Sequence, residues 1–593
     1  MLHQPTATLL PPIYIYKLPP EVLLEIFRLF SPTGETTTDP FRFCLPASVD
    51  DARKLSQVCS SWRAIALSLK RLWTDIPILN DYWAGLSLER SRPLPVSISI
   101  SLDGPQEDLL SRDDVDEPLA LYNLHDGVQR ALSEAHRIRA LQVLADTFDS
   151  GDRLLWLVHK GLTFMTARPM PLLEYLDVDL KWHAFPRNLL PFMDRYSPGK
   201  LRYLSLYGVH QGNLPCLHLL PKAPLTSLKL GYQTLWESMD EALATLSLLP
   251  TLEVLVMERA PDESDEPGPI FDIDVVALSA EPRSVALPNL RTLQLTDTLE
   301  ITAYLMRSLV FPTAAQIKLY TFDTDRDTAR GFLNVLIASI DAHYRTLIAD
   351  GCLFRGLLLE VSCVTMSGAA RRIQLGADHA LHDRVLLAPR ACLIPHIGRS
   401  RLNNHDQLPL MISICENASF AQLEVIEALI QLEMVTKSCA LTFCDHSGLW
   451  QPDPFADIQP TDWEDIMPLL PCIRVADFCG HCAVHALQLL TDAAGGDAFH
   501  AITDITVEDV SFVPQSKPRH IYQKVKPAWM SFETLVQAIN NRIHPDRPES
   551  LRLHHIELKS CDIDDDQVSQ LRRDFGEDFV AWDGRSRGAR GSV

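Results

Sequence analysis

The chain has 593 residues, of which 46% are hydrophobic and 22% are charged. This composition excludes an intrinsically disordered or collagen-like chain and is typical of a protein with a large apolar core. The excess of acidic residues gives a net charge of −22, which would repel a phosphate backbone, so nucleic acid is not expected as the main partner.

The cysteines and the amino-terminal residues indicate the compartment. The chain has 13 cysteines, and an odd number cannot all pair within one chain, so we expect free thiols. Residues 1–20 lack the charged and apolar regions of a secretory signal, and no apolar run approaches the roughly 18 residues that span a bilayer. We therefore expect a cytoplasmic or nuclear protein with no membrane partner.

Two amphipathic stretches follow an amino-terminal tail at 1–15. Residues 20–30 place apolar side chains at helical spacing after a proline pair, and residues 52–73 place them on one continuous stripe. The segment 31–50 between them is rich in Pro, Gly and Thr and is predicted to be a loop. A bundle of this size has a small core, so some of its bulky apolar residues are expected to contact a partner.

Four short motifs occur in order in this region: Leu-Pro-Pro-Glu at 18–21, Ile-Phe at 26–27, Val-Cys-Ser-Ser-Trp at 58–62 and Leu-Trp at 72–73. Together they resemble the F-box family. The resemblance implies a helical module over 16–76 that binds a Skp-type adaptor and, through it, the cullin scaffold of a ubiquitin ligase.

Apolar anchors at helical spacing suit a helix-in-groove contact with such an adaptor. The residues expected to contact the adaptor are Leu18, Pro19, Pro20, Glu21, Ile26, Phe27, Leu55, Val58, Cys59, Trp62, Leu72 and Trp73. Two alternatives remain open: the helices only begin the fold, or the 31–50 loop covers the docking face.

From residue 90 to 583, short stretches of alternating apolar residues recur and predict strands. Through the middle of the chain they begin 24 to 38 residues apart, near the period of leucine-rich repeats. The clear strands are 173–178, 201–206, 225–230, 252–257, 290–295, 315–320, 473–478, 502–507 and 553–558. The weaker ones are 96–102, 139–144, 356–361, 371–375 and 439–444.

We therefore predict an α/β fold, in which a short helical F-box precedes an irregular leucine-rich-repeat-like solenoid over 90–583 and a disordered tail at 584–593. Helices at 241–250 and 421–435 are expected on its convex side. Residues 330–435 interrupt the pattern, either as degenerate repeats or as an insertion. The acidic, proline-rich segment 261–269 is predicted to be a loop.

A doubly wound α/β sheet also alternates strands and helices and remains an alternative. Its strands are covered on both faces, whereas 201–206 and 290–295 carry polar residues at alternate positions. We therefore expect one face of each strand to meet solvent, as on the concave side of a solenoid. Candidate target contacts on that face are Arg202, Ser205, Lys229 and Gln294.

Near the carboxyl end, residues 553–568 resemble a cysteine-containing leucine-rich repeat. The residues on its apolar positions are Leu553, Ile556, Leu558, Cys561, Ile563 and Val568.

One cysteine motif invites a chemical interpretation. The Cys-Gly-His-Cys at 479–482 resembles the redox motif of thioredoxin-like oxidoreductases, although a repeat also places a buried cysteine just after its strand. A metal site from Cys472, Cys479, Cys482 and His485 lacks the two close ligand pairs of structural zinc. Phosphate-binding glycine loops and a nucleophile elbow are absent from the sequence. We predict no catalytic residue, no metal and no cofactor.

The sequence thus predicts a non-enzymatic substrate-recognition subunit of a Skp–cullin–F-box type ubiquitin ligase, with an unknown target protein bound by the repeat domain. The alternative is a leucine-rich-repeat interaction scaffold without a ubiquitin-ligase role.

Overall fold

The computed structural model describes part of the chain. The described ranges are 18–29, 49–78, 80–101, 126–144, 170–179, 199–207, 223–231, 236, 238–259, 284–322, 326–349, 356–366, 368–378, 410–416, 428–429, 431–436, 440–445, 469–491, 501–512, 528–544, 548–549 and 552–584. The chain divides into two compact units, Met1–Val254 and Leu255–Val593. Within these ranges, no helix has the length and apolarity needed to cross a bilayer.

The first unit begins with short helices and continues into a parallel sheet. Its elements are α1 (Pro20–Leu29), α2 (Val49–Val58), α3 (Ser60–Ser68), a 3₁₀ turn (Lys70–Trp73), β1 (Asp75–Ile76), α4 (Asp81–Ser91), β2 (Val96–Ser101), α5 (126–133), a second 3₁₀ turn (Ala135–Arg137), β3 (Ile138–Leu144), β4 (Tyr175–Asp179), β5 (Tyr203–Tyr207), β6 (Ser227–Gly231) and α6 (Met239–Ser247). Each strand from β2 to β6 pairs in parallel with the strand before it, so spatial order follows chain order.

The strands predicted in this unit form, each within about two residues of its expected bounds, and so does most of the helix predicted at 241–250. The unassigned stretch between 76 and 90 holds α4. Of the predicted loop 31–50, only Val49 and Asp50 are described, and they begin α2. The predicted tail at 1–15 and the loop at 261–269 lie outside the described residues.

The continuous stripe expected over 52–73 is interrupted at Cys59. This residue is extended, with φ −160°, and its Sγ accepts a hydrogen bond from the Trp62 N–H across 3.5 Å. A thiol that caps α3 in this way ends α2 one residue earlier. The prediction of one continuous stripe is therefore wrong, because the helix breaks at Cys59, although Leu55 of α2 and Trp62 of α3 share one core.

The expectation that one face of each strand meets solvent is wrong for β4 and β5. All five residues of β5 are buried, and so are the first four residues of β4. On the polar face, Tyr175 and Tyr203 stack with ring centroids 4.1 Å apart. Ser205 is only 2% exposed. Alternating polar residues therefore do not distinguish an open face from a covered one in this unit.

Tyr207 sets a steric constraint at the carboxyl ends of β5 and β6. It lies opposite Gly231, and the Nζ of Lys229 lies 4.6 Å from the Tyr207 ring centroid. A Cβ built on Gly231 would lie 2.0 Å from Cδ1 of Tyr207. Glycine is therefore required at this position, because the ring occupies the space that a side chain would need.

The second unit contains a longer series of strands. Its elements are β7 (Val254–Glu258), β8 (Val285–Ala286), β9 (Thr292–Thr298), α7 (Leu299–Ser308), β10 (Leu309–Val310), β11 (Gln316–Phe322), α8 (Arg326–Ala349), β12 (Gly356–Met366), β13 (Gly368–Asp378), β14 (Leu410–Glu416), α9 (Glu433–Thr436), β15 (Ala440–Asp445), β16 (Val475–Cys479), α10 (His481–Thr491), β17 (Asp504–Glu508), β18 (Val510–Ser511), β19 (Ala528–Trp529), α11 (Phe532–Ile543), β20 (His555–Lys559), α12 (Asp565–Phe575) and β21 (Val580–Trp582).

The interruption predicted within 330–435 contains an antiparallel insertion. β13 pairs antiparallel with β12 and with β14, whereas β11 pairs in parallel with β9 and β14. From β15 to β20 the main strands are again parallel to their predecessors. The sequence predicted β12 and β13 but missed β14, and most of the helix predicted at 421–435 lies outside the described residues.

Three strands of the second unit end in the same way. Gly480, Asp509 and Ser560 directly follow β16, β17 and β20, and all have positive φ, at 68°, 59° and 50°. The Gly480 N–H donates to the Glu508 carbonyl, and the Asp509 N–H donates to the Lys559 carbonyl. A left-handed residue at one register position therefore turns the chain out of successive strands.

The residues that the sequence places on the apolar positions of 553–568 are buried. These six residues are all at most 4% exposed. The Cys561 thiol is fully buried and donates to the Val507 carbonyl across 3.3 Å. Cys479 does not occupy the equivalent place. It pairs in register with Glu508, which pairs with Lys559, so it lies two positions before the one that matches Cys561.

We predict opposite effects for one substitution at two glycines. Gly231→Ala should lower the free energy of unfolding by about 1–3 kcal/mol, because the new methyl group overlaps Tyr207. Gly85→Ala, inside α4, should raise it by about 0.5–1 kcal/mol, because the Cβ meets only the flexible end of Arg130. Denaturant titration of both variants measures the two changes, and equal effects would contradict the steric argument.

Candidate functional site

The helices of residues 18–73 close around a small apolar core. Its buried residues are Leu23, Phe27, Ala52, Leu55, Trp62, Ala66, Leu72 and Trp73, with Leu18, Ile26, Ile65, Leu69 and Trp83 partly buried against it. These side chains come from α1, α2, α3, the 3₁₀ turn and α4. The module is therefore held together by contacts between elements, since each helix is too short to be stable alone.

Phe27 and Trp62 form the centre of this core. Their rings meet edge to face with centroids 4.9 Å apart, and Phe27 is fully buried. The indole N–H of Trp62 is buried and has no acceptor among the described residues. The two aromatic anchors expected from the sequence thus lie within the module, where they fix the packing of α1 on α3.

A second set of predicted residues lies on the surface. Val58 is 57% exposed, and Cys59 beside it is exposed too. On α1, Val22 is 42% exposed, and Pro19 and Pro20 are exposed at its start. Exposed apolar side chains form an interaction surface where they lie together in one patch. We call Pro19, Pro20, Val22, Val58 and Cys59 the exposed apolar set.

The predicted contact residues therefore divide into two groups. Those inside the module or half-buried against its core are Leu18, Ile26, Phe27, Leu55, Trp62, Leu72 and Trp73. Those on the surface are Pro19, Pro20, Glu21, Val58 and Cys59. Sequence reasoning did not select Val22 as a contact, although its place on the outer face of α1 follows from its helical spacing to the buried Leu23 and Phe27.

Trp73 connects the module to the element that follows it. Its indole Nε1 donates to the Ala66 carbonyl across 2.9 Å, and the Arg90 guanidinium of α4 lies 4.2 Å from its ring centroid. Two residues later, Asp75 opens β1, and burial raises the pKa of its carboxyl group to about 7. This junction is therefore most stable when Asp75 is protonated. Protonation of Asp75 raises the free energy of unfolding, and this stabilisation is lost as the pH rises through the folded-state pKa.

The cysteine motif at 479–482 spans the end of β16 and the start of α10. Cys479 is buried at the end of the strand, Gly480 makes the turn, and the side chain of Cys482 lies outside the described residues. No group of His, Cys, Asp or Glu in the described ranges is arranged to hold a metal ion. The buried position of Cys479 does not provide the accessible thiolate that disulfide exchange requires.

We expect large-to-small substitutions in the two groups to differ in their effect on the stability of the protein. Phe27→Ala should lower the free energy of unfolding by about 3–5 kcal/mol, because it leaves a cavity beside Trp62. Val58→Ala should change the free energy of unfolding by no more than about 0.5 kcal/mol, because its side chain is exposed. Thermal and denaturant unfolding measure both, and a large loss for Val58→Ala would place that residue in the core.

Alkylation of the native protein should separate its thiols. Cys59 and Cys472 are exposed and should react with iodoacetamide, whereas Cys479 and Cys561 are buried and should not. Burial also raises the pKa of Cys561 to about 12, so little thiolate forms there at neutral pH. Peptide mass spectrometry identifies the labelled cysteines. Rapid labelling of Cys479 would favour the disulfide-exchange alternative.

Comparison with known families identifies the module. Residues 15–77 match the family model described as F-box-like, a range that contains α1, α2, α3, the 3₁₀ turn and β1. A search of curated proteins finds no match to the chain. Residues 15–77 of the chain thus form an F-box-like domain.

Proposed function

We propose that the chain is a substrate-recognition subunit of a Skp–cullin–F-box type ubiquitin ligase. F-box domains generally bind the Skp-type adaptors of these ligases. The observation that carries the proposal is the exposed apolar set on a module whose own core is already closed.

The remainder of the chain is proposed to be a leucine-rich-repeat-like solenoid that binds the target protein. Two features support this: the first unit places parallel strands in chain order, and the second turns successive strands with a left-handed residue. A doubly wound sheet would reverse its strand order at a switch point. Of the candidate target contacts, Arg202 is exposed and Gln294 is half-buried, donating to the Glu258 carboxylate across 2.6 Å.

The proposed mechanism is recruitment without covalent chemistry by this chain. A target bound to the repeat part would be held beside a ubiquitin-conjugating enzyme carried elsewhere in the complex, which raises its effective concentration. The odd number of cysteines in the sequence supports a reducing compartment, the cytoplasm or nucleus, where such ligases could act.

The docking surface is tested by charge substitution on the exposed apolar set. Val22→Asp combined with Val58→Asp should abolish co-purification with a Skp-type adaptor and leave circular dichroism and thermal unfolding unchanged, because both side chains are exposed. The matched control is Leu248→Asp, which changes an equally exposed residue at the end of α6. It should bind the adaptor as the native chain does.

Two results would contradict the proposal. A folded native chain that never binds the adaptor would favour the alternative of an interaction scaffold without a ubiquitin-ligase role. A double variant that binds as tightly as the control would show that docking uses another surface.

A further inference from the structure

Helix α4 lies between the F-box-like module and the parallel sheet of the first unit. On the module side, Trp83 is partly buried against the core, and Arg90 lies over the ring of Trp73. On the sheet side, α4 leads through a short turn into β2, which pairs with β1 and β3. Helix α4 therefore contacts the module on one side and connects to the first strands on the other.

Arg137 binds the carboxyl end of α4. It belongs to the 3₁₀ turn before β3 and is only 6% exposed. Its Nη1 donates to the Leu88 carbonyl across 3.1 Å, and its Nη2 donates to the Ser91 Oγ across 2.8 Å and to the Leu94 carbonyl across 2.7 Å. The last carbonyls of a helix have no hydrogen-bond donor within the helix. The buried Arg137 guanidinium supplies donors at this end of α4, and its positive charge is favourable there.

The other end of α4 is held more weakly. Arg130 of α5 forms a two-pronged ion pair with Asp81, the first residue of α4, and one of its two contacts measures 2.7 Å. The Arg130 side chain is half exposed, and exposed ion pairs contribute little to stability. At the carboxyl end, Arg92 also pairs with Glu134 across 2.7 Å, but the Arg92 side chain is 64% exposed. Among these three arginines, Arg137 is therefore the buried one that holds α4 to the turn before β3.

We infer that α4 is a rigid connector and that Arg137 is its positioning residue, which holds the F-box-like module in one orientation relative to strands β2 to β5. Its consequence for ubiquitin transfer rests on the proposed function: the target site would be held at a set distance from the adaptor. The geometric part of the inference does not require the adaptor to bind.

The test compares the full-length chain with Arg137→Met and with a matched control, Arg139→Met. Arg139 lies two residues further on and is exposed, so the control makes the same substitution and the same charge change without touching α4. Spin-labelled amino acids introduced at two exposed positions, Ala64 in α3 and Lys200 before β5, report the distance between module and sheet.

A narrow distance distribution is expected for the native chain and for Arg139→Met, and a broad one for Arg137→Met. Amide hydrogen exchange should be about tenfold faster or more in α4 of Arg137→Met, with exchange in α1 to α3 unchanged. An unchanged distribution would overturn the inference. Faster exchange throughout α1 to α3 would also overturn it, because Arg137 would then support the fold of the module and not its position.

A milder variant covers the case in which Arg137→Met does not fold. Ser91→Ala removes one acceptor of Arg137 and keeps the others. It should broaden the distribution less than Arg137→Met would, and no broadening would overturn the inference. Adaptor binding, measured in parallel, is expected to be equal in all variants. Its absence in the native chain would reject the proposed function while the distance data still decide the positioning role.

Discussion

The indole of Trp73 is the contact on which the module and its connection to the sheet both depend. The ring is only 1% exposed, its N–H is satisfied by the Ala66 carbonyl of α3, and its face receives the Arg90 guanidinium of α4. One side chain thus binds the last helix of the module and the first helix beyond it. Because β1 begins two residues later, the position of this ring also sets where the sheet can start.

The same packing explains which apolar residues remain available to a partner. Phe27 and Trp62 fill the centre of the module, and Leu72 and Trp73 help to complete its core. The break at Cys59 then directs Val58 away from that centre, although its neighbours Leu55 and Trp62 are buried. The capped break between α2 and α3 therefore lets one amphipathic stretch contribute buried residues to the core and Val58 and Cys59 to the exposed apolar set.

The sequence predicted the strands well because alternation of apolar residues follows directly from strand geometry. It could not assign Phe27 and Val58 to different roles, because core and interface both require apolar side chains. Nor could it show that Ser205 is covered, since a small polar residue on a strand fits either environment. The strand β14 depended on tertiary pairing, which local spacing does not encode. The cap at Cys59 is local, but cysteine is not among the usual capping residues Ser, Thr, Asp and Asn.

The antiparallel insertion of the second unit is compatible with a repeating parallel sheet for a directional reason. β14 is parallel to β11, β13 reverses direction, and β12 reverses it again before pairing in parallel with β15. Two reversals restore the original strand direction, so β15 meets the same pattern of backbone donors and acceptors that a parallel neighbour would present. Parallel pairing can therefore resume after the insertion, and a sequence pattern that weakens over 330–435 does not end the sheet.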